Sequence, residues 1–232
     1  MVDLIVVNIM NSIMIIIPVY NELETIERVI EDLNNHGYKQ IVVVDDGSTD
    51  KSYELLIKKK IDIIQHDKQY GQGAALRTGI KWALNKGADI IVTFDADGQH
   101  QAKELSKMIP LVNRFDVVLA SRFIGLQTMS IPTNKKVVLK IGTVVLKLMY
   151  GINLTDSQNG LRVLSRKAAE QINITTNGME HASEIIEEIA KNKLSFIEVP
   201  VDIKYTEYSI AKGQKWHNAF GLFFKMVHKK CK

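Results

Sequence analysis

Two periods of apolar residues alternate along this chain. Residues 13–17 (IMIII) are an unbroken, β-branched run that stops at Pro18, the pattern of a strand buried on both faces and feeding a loop. From Leu23 to Asn35 the spacing becomes helical, through Leu23, Ile26, Ile30 and Leu33, with Gly37 to close the helix. The cycle then repeats. Residues 41–44 (IVVV) predict a second buried strand, and Ser48, Thr49 and Asp50 are cap residues for a helix through Leu56 and Ile57. A short strand at 61–64, a helix from about Gln72 to Asn85, a strand at 89–94, a helix at 102–113 and a strand at 116–120 follow. Strands alternating with helices predict an α/β fold, an open and mostly parallel sheet with helices on both faces.

After Ser121 the rhythm changes. Residues 135–150 are helical in pattern, with Val137, Val138, Ile141, Val144, Val145 and Leu148 apolar and Lys135, Lys136, Lys140 and Lys147 along an edge. Short strands are expected at 161–164 and 196–203, around a helix at 180–192. The end, from about Trp216 to Lys229, is aromatic and basic at near-helical spacing. No linker separates the halves, so residues 1–232 are expected to form one domain.

Composition narrows the class. With 46% hydrophobic and 24% charged residues the chain is ordinary for a globular protein. A net charge of +4 is low for a nucleic-acid binder, and that class is set aside. The charge is uneven: Lys212, Lys215, Lys225, Lys229, Lys230 and Lys232 stand in the tail without an acidic residue. Such a tail suits a membrane surface or is a solvated basic end. The single cysteine, Cys231, allows no internal disulfide and no cysteine-based zinc site, which fits a reducing, cytoplasmic setting. The apolar N-terminus lacks the basic region of a leader, and no run reaches the roughly 20 apolar residues of a spanning helix.

In an open α/β sheet, ligands bind beyond the carboxyl ends of the strands. The unusual polar residues fall there: Pro18–Glu22, Asp45–Ser48, Asp95–His100 and Ser121–Phe123. Asp95-x-Asp97-x-Gln99 places oxygen ligands on alternate residues after an apolar strand. Hard oxygen donors suit Mg²⁺ or Mn²⁺ bridging to a diphosphate. The spacing also arises by chance or as a cap, and its place beside a second acidic strand end favours the metal. Asp45-Asp46 reads as a turn with an N-cap or as a carboxylate for a nucleobase N–H. Gly71-Gln72-Gly73 before a helix suits a phosphate, but it lacks the full dinucleotide fingerprint and the P-loop lysine.

Taken together, IIIPVYNE (15–22), VVVDDGSTD (42–50), GQGAALRTG (71–79), FDADGQH (94–100), ASRF (120–123) and DSQNGLRVLSR (156–166) resemble the family 2 glycosyltransferases. These are inverting enzymes of the GT-A fold, and the likeness is to their dolichyl- and polyprenyl-phosphate sugar transferases. The resemblance implies a nucleotide-sugar-binding half at 1–122 and an acceptor-binding half at 123–232 ending in an amphipathic basic helix. It implies nucleoside and sugar-nucleotide contacts from Pro18, Tyr20, Glu22, Asp46, Gly73, Arg77, Asp95 and Ala96. It implies Mg²⁺ or Mn²⁺ on Asp95, Asp97 and Gln99, an acceptor phosphate on Arg122, and Asp156 in the acceptor-side motif. The chain departs from the pattern at NGLR (159–162), and Met179–Glu184 stands where hydroxyl-acceptor relatives place a base. Glu184 or His181 would fill that role, or both are an ordinary helix start.

The expected reaction is sugar transfer with inversion from a nucleoside diphosphate sugar to a polyprenyl phosphate at the inner membrane face. The protein would be peripheral there or held by a small membrane partner. The alternative acceptor is a hydroxyl of a growing surface polysaccharide or other glycan. A sugar-phosphate nucleotidyltransferase, of a different class, would need a Gly-rich, basic loop after the first strand, where PVYNE stands instead.

Overall fold

The computed structural model describes residues 12–124 and 133–204, without the side chains of 133–139 and 141. The N-terminal residues and the aromatic, basic tail lie outside the described residues, as do the expectations placed on them.

Among the described residues the strands are β1 (Ile13–Val19), β2 (Ile41–Asp45), β3 (Asp62–Gln65), β4 (Ile90–Thr93), β5 (Val117–Ser121), β6 (Arg162–Ser165) and β7 (Phe196–Pro200). The helices are α1 (Ile26–Asn35), α2 (Ser52–Lys58), α3 (Gln72–Asn85), α4 (Leu105–Met108), α5 (Thr133–Tyr150), α6 (Arg166–Gln171) and α7 (His181–Lys191). The strands form one sheet in the order β3-β2-β1-β4-β6-β5-β7. All neighbours are parallel except β6, which runs antiparallel to both β4 and β5. The sheet is therefore of the GT-A kind, and its helices lie on both faces.

Alternation along the strands sorts the core into two layers. Met14, Ile16, Val42 and Val44 pack on one face with Ala75, Leu76 and Ile80 of α3 and Ile185, Ile186 and Ile189 of α7. Ile15, Ile17, Val19, Ile41 and Val43 pack on the other with Ile26, Val29, Ile30 and Leu33 of α1, Leu56 of α2 and Leu105 of α4. The runs of β1, β2 and β4 are thus buried on both faces, while β3 at the sheet edge is not.

Two expectations need adjustment. The helix expected at 102–113 is broken into a 3₁₀ turn (Ala102–Glu104), the single turn α4 and a second 3₁₀ stretch (Ile109–Asn113). Pro110 lies in that last stretch and removes a backbone donor there. Ser48, Thr49 and Asp50 do not simply cap α2. The Asn21 side chain, on a left-handed backbone (φ 55°), accepts from the Thr49 and Asp50 N–H groups, and the Ser48 hydroxyl accepts from Asn21 N–H. The ends of β1 and β2 are thereby stitched to each other. After residue 123 the chain returns to the same sheet, because β6 inserts between β4 and β5.

Candidate functional site

The antiparallel insertion of β6 decides what the site contains. Its first residue, Arg162, pairs with Thr93 at the end of β4. The start of β6 and the residues before it therefore reach the edge where the parallel strands end. A cavity of about 570 Å³ opens along that edge, a size that holds a nucleotide sugar. Pro18 at the end of β1, Tyr20 and Glu22 after it, Asp46 after β2, and Asp95, Ala96 and Asp97 after β4 enter its wall. Gln158, Gly160, Arg162, Met179, His181 and Ala182 line the other side.

Asp46 is buried and holds the loop before α3. It accepts from Tyr70 N–H (3.0 Å) and Gly71 N–H (2.6 Å), and its Oδ1 pairs with His66 Nδ1 at 2.7 Å. His66 Nε2 in turn meets the Thr78 hydroxyl at 3.0 Å. Asp45 is fully buried below, so of the acidic pair Asp46 alone lines the cavity.

Asp95 is held from two sides. Gln72 Nε2 donates to Oδ1 at 3.0 Å, and His100 Nε2 meets Oδ2 at 3.1 Å. Burial alone would raise its pKa, but the His100 hydrogen bond and the nearby Arg162 charge outweigh burial and hold Asp95 ionised. Gly160 is there because nothing larger fits: a Cβ at 160 would fall on the Asp95 carboxylate.

Asp97 behaves oppositely. Burial, then the negative charges of Asp95 and Glu22, push it up to about 6, against a hydrogen bond from Gln99 N–H at 3.0 Å. A divalent cation beside Asp97 would relieve that repulsion, so the donor set fits Mg²⁺ or Mn²⁺. No group of three or more His, Cys, Asp or Glu arranged to hold a metal occurs among the described residues. Gln99 is absent from the cavity wall; its backbone bridges Asp97 and Lys204 N–H.

Several expected site residues lie behind the wall. Arg77 donates to the carbonyls of Ile174 and Thr175 and to Asn177 Oδ1, fixing the loop before α7. Gly73 packs so closely on that loop that a Cβ would strike the Thr176 carbonyl. Glu184 serves the same loop: it accepts from the N–H and hydroxyl groups of both Thr175 and Thr176. Burial raises the Glu184 pKa, but these donors overcome that and hold it below the usual carboxylate range. The structure thus gives Glu184 a loop-anchoring place rather than that of a base lining the cavity.

Arg122 and Asp156 form a bidentate pair, Nε to Oδ2 at 2.6 Å and Nη2 to Oδ1 at 2.7 Å. Asp156 is fully enclosed in that pair, so it orients the arginine rather than meeting a ligand. Glu198 supports them by accepting from Thr155 N–H and Asp156 N–H.

Two wall residues were outside the expected donor-binding set. Arg162 is 2% exposed, and burial brings its pKa down to about 10 despite Asp95 and Asp156 nearby. Its Nη1 has no partner among the described residues. An arginine opening an otherwise apolar strand, R-V-L-S, was the available signal. The sequence left His181 as a base or as part of an ordinary helix start. Its Nδ1 instead donates to the Gly178 carbonyl at 2.9 Å, and burial followed by the Arg162 charge pushes its pKa down to about 4. It is a neutral imidazole at physiological pH.

The sequence profile of Glycosyl transferase family 2 matches residues 14–172. An uncharacterised protein of Methanocaldococcus jannaschii is 38% identical, covering 95% of this chain and 93% of its own. A UDP-N-acetylglucosamine–dolichyl-phosphate N-acetylglucosaminyltransferase of Methanococcus voltae is 36% identical, covering 93% and 94%. A dolichol-phosphate mannosyltransferase of Pyrococcus furiosus is 29% identical over 88% of this chain and 58% of its own. Among solved structures, glucosyl-3-phosphoglycerate synthase of Mycobacterium tuberculosis superposes with a TM-score of 0.71 at 16% identity, covering 93% of this chain and 79% of that one. The chain belongs to glycosyl transferase family 2 and is a glycosyltransferase of GT-A fold, similar to the polyprenyl-phosphate sugar transferases.

Proposed function

We propose that this glycosyltransferase moves a sugar, with inversion, from a nucleoside diphosphate sugar to a polyprenyl phosphate. The observation that carries the choice of acceptor is the state of the two candidate bases. Glu184 is committed to four donors of the 175–176 loop, and His181 is pushed down to about 4. A hydroxyl acceptor has to lose a proton, whereas a phosphate monoester is already ionised and attacks unaided. The relatives named for dolichyl and undecaprenyl phosphate support the same acceptor.

In this reading the nucleoside lies against Pro18 and Tyr20, with Asp46 fixing the 66–71 loop beside it. Asp97, assisted by Asp95, would hold Mg²⁺ or Mn²⁺ on the diphosphate. The metal supplies charge stabilisation for the leaving nucleoside diphosphate. Solved complexes of the mycobacterial synthase contain Mn²⁺ and UDP, which supports the same ion class here. Arg122, oriented by Asp156, receives the acceptor phosphate. A phosphate oxygen attacks the anomeric carbon from the face opposite the diphosphate; the glycosidic bond to phosphate forms as the bond to the diphosphate breaks. The acceptor brings the enzyme to the inner membrane face, directly or through a small membrane partner.

The test is transfer of radiolabelled sugar from UDP- and GDP-sugars into organic-extractable product, with polyprenyl phosphate and Mn²⁺ or EDTA. A metal-dependent, acid-labile lipid product is expected. Labelling of glycan hydroxyls alone would overturn the assignment of the acceptor.

A further inference from the structure

The cavity wall holds two groups that the reaction outlined above does not use. Arg162 is buried in the wall, and its Nη1 has no hydrogen-bond partner among the described residues. An unpartnered buried donor is costly, and a binding site is one place where it is completed. His181 lines the same wall. Its Nδ1 is committed to the Gly178 carbonyl, which fixes the tautomer and leaves Nε2 as an acceptor. Met179 and Ala182 lie beside it in the wall and give it an apolar margin.

An N–H donor, a lone-pair acceptor and an apolar margin together complement one common group on sugars. An acetamido substituent has a carbonyl that accepts, an N–H that donates and a methyl that needs apolar cover. A phosphate fits less well. It cannot satisfy an acceptor nitrogen when ionised, and the Arg162 charge is already flanked by Asp95 and Asp156. A second anion there would meet two carboxylates, whereas a neutral carbonyl would not.

We infer that Arg162 and His181 form an acetamido-recognising subsite, so that the transferred sugar is a 2-acetamido-2-deoxyhexose. This rests on the glycosyl-transfer reading and adds the class of donor sugar to it. Arg162 Nη1 donates to the acetamido carbonyl, His181 Nε2 accepts its N–H, and Met179 with Ala182 cover the methyl.

The experiment is calorimetry on the full chain with Mn²⁺ and no acceptor, using UDP, UDP-glucose and UDP-N-acetylglucosamine as probes. Sites built to hydrogen-bond a substituent discriminate strongly against its absence, so UDP-N-acetylglucosamine should bind at least about 10-fold tighter than UDP-glucose. His181→Leu should shrink that ratio to near one while UDP affinity stays within about twofold, and His181→Asn should restore part of it. Arg162→Lys, which keeps the buried charge, should reduce the ratio likewise. Equal binding of the two sugars by the wild type overturns the subsite but leaves glycosyl transfer standing. So does an Arg162→Lys variant that loses UDP affinity as much as UDP-N-acetylglucosamine affinity, because the arginine would then serve the diphosphate. If no nucleotide binds and no donor is turned over, the underlying reading falls and the subsite with it.

Discussion

Asp95 and Asp97 are two residues apart and share one strand end, yet their surroundings drive them in opposite directions. Asp95 is held ionised by His100 and Arg162, while Asp97, buried and facing Asp95 and Glu22, is pushed up to about 6. A carboxylate whose folded pKa lies above its unfolded value binds more protons folded than unfolded between the two. Metal-free stability therefore falls as pH rises from about 4 towards 6 and levels off above. Asp97→Asn should abolish Mn²⁺-dependent donor binding yet raise metal-free stability at pH 7.5 by on the order of 1–3 kcal/mol. Thermal melts in EDTA and calorimetry with Mn²⁺ check the two halves; a destabilised variant would contradict the repulsion. Glu184 carries the opposite sign. Its pKa is lowered from 4.5, so its contribution is present above that value and is lost as pH falls through the folded pKa. Glu184→Gln should lower the melting temperature at pH 7 and leave kcat within a few-fold. A loss of the 10²-fold or more expected for a missing base would return Glu184 to catalysis.

Between elements, the contact that matters most is the crossing of the 158–162 segment over the end of β4. Gly160 accepts a hydrogen bond from the Thr93 hydroxyl at 2.6 Å through its carbonyl, and its missing Cβ leaves space for the Asp95 carboxylate. Gly160→Ala should push Asp95 out of reach of His100 or Gln72 and lower kcat/KM by at least about 10-fold. Circular dichroism should show an unchanged fold, since β6 keeps its ladder to β4. Wild-type activity in that variant would mean the segment yields easily. This crossing is what the sequence could not display. The apolar runs of β1, β2 and β4 and the acidic residues after them were legible, because burial on both faces and strand-end polarity leave local patterns. The antiparallel entry of β6 between β4 and β5 depends on pairing between segments far apart in the chain and leaves no such local pattern. Arg162, Gln72 and His66 therefore could not be assigned to Asp95 or Asp46, although each stood in or near a recognised motif. The places of Glu184 and Arg77 were hidden for a related reason. The resemblance implied Arg77 as a nucleotide contact and left Glu184 as a base or a helix start, and only the fold shows that loop 173–177 takes both.

At the scale of the whole molecule, the proposed lipid acceptor requires a surface that meets a membrane. Among the described residues no helix is long and apolar enough to cross a membrane. Sequence alone offered two places for α5: packed on the core, or turned to a membrane surface. The structure gives one face to each side. Leu146 and Thr143 are buried, while Val144 is 56% exposed and Leu148 is 80% exposed. Lys140, Val144 and Leu148 are spaced four residues apart on one helical face, with Lys147 beside them and exposed. Two exposed aliphatics framed by lysines suit an anionic lipid surface, where each nearby lysine contributes about 1 kcal/mol and the aliphatics add burial. The protein should float with vesicles containing anionic lipid and not with neutral ones, and added salt should weaken the association. Val144→Glu with Leu148→Glu, and separately Lys140→Glu with Lys147→Glu, should each lower the bound fraction several-fold. Both variants should keep turnover on a short-chain, water-soluble polyprenyl phosphate, because the face carries none of the cavity residues. If vesicle binding survives both pairs of substitutions, α5 is not the docking face, and the basic tail beyond residue 204 or a membrane partner must bring the enzyme to its acceptor.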